Sequence, residues 1–105
     1  IRVYRASRTI MIITKTPGIV LRNIHSTFLL INPKEKFDKS NKILARVNDS
    51  GKILWDILDT YQDLNSVIDV FCGFYNVSPE QRGDVAKDVF EYVQYLQMKG
   101  YVHCE

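Results

Sequence analysis

Two histidines, two cysteines and two groups of carboxylates are the side chains of this 105-residue chain whose types could do chemistry. His25 falls in Asn23-Ile24-His25-Ser26, a polar stretch between two apolar runs that reads as a turn, so its imidazole is expected in water. His103 and Cys104 are neighbours near the last residue. A structural zinc site takes four ligands, commonly from paired C-x-x-C spacings, and the sequence holds no such pair. Asp56, Asp59 and Asp63 read as the polar side of a helix and a cap for the next one. Asp84, Asp88 and Glu91 recur at helical spacing with Lys87 among them, the pattern of a solvated helix face. No G-x-S-x-G, phosphate loop or G-x-G-x-x-G occurs, and no two groups suggest a matched acid and base. The expectation is a protein that is not an enzyme, with no metal and no cofactor.

Composition sets the frame for that expectation. The chain has the length of a single domain, and its 46% hydrophobic and 25% charged residues are those of a water-exposed globular protein. A net charge of +2 is too small to draw it to nucleic acid or to an anionic membrane. No apolar run approaches the ~18 residues that cross a bilayer. Two thiols, one of them among apolar residues at helical spacing, fit free cysteines and a cytoplasmic location. The first residue is Ile1, and Met11 stands just before globular patterning begins at Ile12-Ile13-Thr14-Lys15. Residues 1–14 therefore read as an extension, in part upstream of the natural start, ahead of a domain over residues 15–105. Ile10 to Ile13 is nonetheless apolar enough to add a strand.

The elements of that domain follow from local signals. Lys15-Thr16-Pro17-Gly18 is a turn. Ile19-Val20-Leu21-Arg22 and Thr27-Phe28-Leu29-Leu30-Ile31 make a hairpin, closed by Asn32-Pro33. A lysine-rich charged loop spans 33–42. Ile43-Leu44-Ala45-Arg46-Val47 returns to strand, with Ile43, Ala45 and Val47 on one face. Asn48-Asp49-Ser50 offers N-caps for a helix to about Thr60 carrying Ile53, Leu54, Ile57 and Leu58, flanked by Trp55. Asp63 caps a second helix with Leu64, Val67, Ile68, Phe71 and Phe74 on one stripe, ending near Gly73 and Asn76. Ser78-Pro79-Glu80-Gln81 has the form of a capping box for a third. That helix carries Val85, Val89, Val93 and Leu96 and stops at Lys99-Gly100, after which Tyr101-Val102-His103 can form a short strand. The expected class is α+β and winged-helix-like, an N-terminal three-stranded antiparallel sheet followed by three helices.

Helix three has more apolar surface than one core stripe needs. Phe90, Tyr92, Tyr95 and Met98 lie beside or away from its line, and a groove beside that helix would use them. If Ile43–Val47 lies at a sheet edge, its outward N–H and C=O groups can pair with an extended peptide, while the groove selects among side chains. An apolar edge strand of this kind also permits a homodimer.

The run Val47-Asn48-Asp49-Ser50-Gly51-Lys52-Ile53-Leu54-Trp55-Asp56-Ile57-Leu58 resembles the signature of PqqD-like proteins. Pro17-Gly18-Ile19-Val20-Leu21-Arg22 with Thr27-Phe28-Leu29-Leu30 is similar to that family's opening hairpin. Val77-Ser78-Pro79-Glu80 and Leu96-Gln97-Met98-Lys99-Gly100-Tyr101-Val102 look like its third helix and closing turn. The resemblance covers roughly residues 15–103. It implies a peptide chaperone, or precursor-peptide recognition element, that binds the leader of a ribosomally made precursor peptide and hands it to a modifying enzyme, typically a radical S-adenosylmethionine enzyme. In that family the leader adds as a strand beside the third strand and against the third helix. Carried onto this chain, the implied peptide-binding residues are Ile43, Leu44, Ala45, Arg46 and Val47, with Lys87, Phe90, Gln94 and Gln97.

Two other readings stand beside it. A winged-helix DNA-binding protein needs a basic recognition helix. Helix three sets Arg82, Lys87 and Lys99 against Glu80, Asp84, Asp88 and Glu91, and helix two carries no Lys or Arg between Asp63 and Asn76. A purely scaffolding subunit is the third, and a free edge strand argues for peptide binding over it.

Overall fold

The computed structural model describes residues 10–32 and 43–105. The lysine-rich loop expected over 33–42, and all of the expected extension before Ile10, lie outside the described residues. The order is β1 (Ile13–Lys15), β2 (Val20–Ile24), β3 (Thr27–Ile31), β4 (Ile43–Val47), α1 (Asp49–Ile57), α2 (Leu64–Phe74), α3 (Arg82–Met98) and β5 (Val102–Cys104). The class is α+β: a three-stranded antiparallel sheet, β2-β3-β4, followed by three helices, with β1 and β5 paired as a second small sheet.

Apolar spacing fixes which faces meet. Leu54, Trp55 and Ile57 from α1 with Leu58 at its C-cap, Val67, Ile68 and Cys72 from α2, and Val89, Val93 and Leu96 from α3 close over Leu30 and Val47 of the sheet. These side chains are almost wholly removed from water, and that burial is the main stabilising term. Both cysteines are free, Cys72 buried and Cys104 half-buried, where burial pushes the Cys104 thiol pKa up.

The segment before residue 15 belongs to this core. Ile13 is 0% exposed, and Ile13 and Thr14 pair with Cys104 and His103. Ile13 N–H donates to Gln62 C=O at 2.8 Å, and Leu64 N–H donates to Met11 C=O at 2.9 Å. The sequence boundary at residue 15 thus falls inside β1, and residues from Met11 onward are stitched to the α1–α2 loop as well as to β5.

Caps set the helix ends. The Asn48 side chain accepts from Gly51 N–H at 2.8 Å, and Asp63 accepts from Ser66 N–H at 3.0 Å. Helices α2 and α3 end in the same motif, a left-handed residue whose neighbours reach back to the last turn. In α2, Asn76 has φ 54 and Val77 N–H donates to Cys72 C=O at 2.9 Å. In α3, Gly100 has φ 82 and Tyr101 N–H donates to Leu96 C=O at 2.9 Å.

The third N-terminus differs from expectation. Helix α3 begins at Arg82, and Gln81 at the cap makes no side-chain bond. Gln81 N–H donates to the Ser78 backbone C=O at 3.0 Å, so Ser78 and Pro79 form a tight turn of i→i+3 bonds. Backbone carbonyls take the donors that the capping box would have given to the Ser78 hydroxyl. An ion pair from Arg82 to Asp69 then ties the first turn of α3 to α2. Helix α1 also stops early, at Ile57, and unwinds through Asp59 and Thr60 by i→i+3 bonds.

Two stability effects follow. A Cβ at residue 100 would meet nothing within 4 Å, so Gly100→Ala carries only the backbone penalty of a left-handed residue. It is expected to cost about 1–2 kcal/mol in urea unfolding. Hydrogen bonds from the Ser66 backbone and then its hydroxyl hold the Asp63 carboxyl below its ordinary value of 3.8. A lowered folded-state pKa gives stability that is complete above the unfolded value and lost as pH falls through the folded one. Thermal melts should therefore lose part of their stability below about pH 4, and Asp63→Asn, which keeps an acceptor oxygen, should flatten that loss.

Candidate functional site

Strand β4 is the edge of its sheet among the described residues, paired on one side with β3. The bonding pattern follows from the hairpin. His25 and Ser26 both have positive φ, 51 and 65, as a two-residue type I′ turn requires. In such a hairpin the flanking pair, Ile24 and Thr27, exchanges hydrogen bonds. Alternation then turns the backbone of Phe28 and Leu30 toward β4, where their partners are Val47 and Ala45. The N–H and C=O of Arg46 are left pointing away from the sheet. A bulge between Leu30 and Ile31 ends the regular pairing beyond Ala45.

A groove of about 710 Å³ opens at this end of β4. Its walls are Phe28 and the turn residues before it, Arg46 and Val47, the first residues of α1, and Tyr92 and Tyr95 of α3. The two tyrosine rings stack at 5.8 Å with a 27° interplanar angle, forming a flat aromatic wall. Burial, and then the neighbouring Tyr95, raises the Tyr92 pKa, so its phenol stays neutral. Lys99 holds its ammonium 5.9 Å from the Tyr95 ring, and Lys52 holds its own 5.8 Å from Phe28. Arg46 and Asp49 face the groove with no ion-pair partner among the described residues.

Gly51 lies beside the groove, where it lets α1 approach residues that line it. A Cβ there would stand 2.8 Å from Val47 Cγ1, 2.7 Å from the Tyr92 hydroxyl and 3.0 Å from the Asn48 cap oxygen. The first turn of α1 can pack against both β4 and α3 because residue 51 has no side chain.

The residues expected from the sequence divide. Arg46 and Val47 line the groove. Ile43, Leu44 and Ala45 supply the rest of the edge strand's backbone. Lys87, Phe90, Gln94 and Gln97 do not join them. At 100° per residue their face of α3 lies about 150° from that of Tyr92 and Tyr95. Lys87, Gln94 and Gln97 are exposed and Phe90 is half-buried. The core stripe Val89, Val93 and Leu96 decides this, since burying it turns Tyr92 and Tyr95 toward the sheet and the other flank away. The face of the third helix carried over from the resemblance and the wall of this groove are thus different faces of α3. Tyr92 and Tyr95 stood among the surplus aromatics, which was their signal, whereas Phe28 and Asp49 read only as parts of a strand and a cap.

Chemically the groove offers an aromatic wall, the outward backbone of an edge strand among the described residues, and one residue of each charge in its lining. Among the described residues no three His, Cys, Asp or Glu side chains cluster to hold a metal ion. No described helix is long and apolar enough to cross a membrane. No protein-family model, curated protein or solved structure matches the chain.

Gly51→Ala tests the approach of α1. The alanine gains helix propensity, about 1 kcal/mol, but Val47 is buried and cannot retreat. A net loss of about 1–3 kcal/mol in chemical denaturation is expected, with changed aromatic NMR resonances for Tyr92.

Proposed function

We propose that this chain is a non-catalytic adaptor of the PqqD-like kind. It binds the leader of a ribosomally made precursor peptide by strand addition and presents it to a modifying enzyme, a radical S-adenosylmethionine enzyme, in the cytoplasm. The observation that carries the reading is the meeting of a strand that is the sheet edge among the described residues with a groove: the outward backbone of β4 at Arg46 runs into the cleft walled by Tyr92 and Tyr95. Backbone pairing supplies affinity for any extended segment, and the groove discriminates between side chains. The mechanism is positional. Holding a substrate peptide beside an active site raises its local concentration to roughly mM for a short tether, with no bond-making residue on the adaptor. The sequence resemblance over the Val47–Leu58 run supports the same assignment. The contact face on α3 is here Tyr92 and Tyr95 rather than the flank the resemblance carried over.

The test uses the edge directly. Proline is tolerated on an edge strand where its missing N–H faces outward. Arg46→Pro should fold, with native chemical shifts away from β4, yet lose peptide binding, while Arg46→Ala should retain most of it. Isotope-labelled protein would be titrated with the leader of the nearest encoded short peptide. Amide shifts gathered on β4, Tyr92 and Tyr95, absent in Arg46→Pro, are the expected outcome. Binding that Arg46→Pro leaves intact would overturn strand addition.

A further inference from the structure

The groove does not end at Phe28. On the far side of that ring a second cavity of about 320 Å³ is lined by Phe28, Asp49, Lys52, Ile53, Phe74 and Tyr75. Phe28 and Asp49 are walls of both cavities. The second one is capped by aromatic surface that nothing among the described residues covers: Phe74 is 60% exposed and Tyr75 42%. Their rings meet edge to face at 5.0 Å, and Phe71 packs against Tyr75 at the same separation, so the patch is a fixed cluster rather than isolated side chains.

Charge at the junction is unequal. Lys52 is committed, paired with Asp56 at 2.7 Å and held over Phe28. Asp49 has no such partner among the described residues. The ridge between the two cavities therefore presents a carboxylate that no described residue pairs with, with apolar walls on either side.

Resting on the peptide-adaptor reading above, we propose that the bound peptide continues past the end of β4 over this ridge. A lysine or arginine of the peptide pairs with Asp49, and an aromatic or large aliphatic residue next to it enters the second cavity against Phe74 and Tyr75. The recognised class is an extended peptide with a cation beside an apolar anchor. An added strand supplies the reach, since each residue advances about 3.3 Å and carries the chain off the strand end and across one side chain within two or three positions.

A displayed library of random peptides of about ten residues, selected against the whole chain, tests this without a known ligand. Selected peptides should be enriched in the cation–apolar pair and should lose binding to Arg46→Pro. Against Asp49→Asn, which removes charge but keeps a polar group in the first turn of α1, they should bind roughly threefold to fivefold more weakly, the effect of one partly screened pair. Phe74→Ser, at an exposed position, should weaken them about tenfold by removing the anchor's wall. Selection against Asp49→Lys should reverse the preference toward acidic residues. Binders that depend on the β4 edge but show no cation preference, and are indifferent to Asp49→Asn and Phe74→Ser, would overturn this inference and leave strand addition standing. Failure to select any binder sensitive to Arg46→Pro would overturn both.

Discussion

The contact on which the site depends is the approach of the α1 first turn to β4 and α3 at Gly51. Space for a single hydrogen there lets the Asn48 cap, the end of β4 and the Tyr92 hydroxyl converge within about one van der Waals contact of each other. That convergence places Asp49 on the ridge between two cavities and holds the Tyr92–Tyr95 wall opposite Phe28. A bulkier residue would move the helix outward, and with it Asp49, the α1 residue that lines the groove. Glycine within a helix costs stability, so its place here reflects packing rather than helix preference.

Much of this was legible in the sequence because it is local. Asn48 and Asp63 are good caps next to apolar-periodic runs, and both cap as read. The strands of the main sheet alternate or run apolar over five residues, which suffices to find them. What escaped depends on distant partners. Ile10 to Ile13 reads equally as an extension or as an added strand until residues 102–104 are placed beside Ile13 and Thr14. The capping box at Ser78 is a sound local signal, overridden because the chain leaving Asn76 takes a tight turn first. The face of α3 was the costliest ambiguity. Val89, Val93 and Leu96 identify the core, but aromatic residues sit on both flanks of that stripe. Only packing decides that Tyr92 and Tyr95, not Phe90, meet the sheet.

The hairpin turn carries a further sign of how the groove mouth is built. Type I′ turns favour Asn and Gly, and this one uses His25 and Ser26 at positive φ. Such conformations are retained when surrounding structure enforces them. Here β2–β3 pairing holds the turn closed, and Ser26 and Thr27 form one lip of the groove. A tighter loop chemistry would stabilise the hairpin without altering the tyrosine wall, so the lip and the wall are separable features.

The clasp between β1 and β5 has a mechanical meaning. Ile12 and Glu105 exchange two hydrogen bonds at 2.9 Å, just outside the paired residues Ile13 and Cys104. Both strands therefore leave the small sheet at the same end. Tension applied to the two sides of the domain would load these bonds in succession, as a zipper is opened, instead of shearing them together. The clasp would peel before force reached β2-β3-β4, so the groove beside β4 is shielded from a pull on the chain until Ile13 has been drawn out of the core.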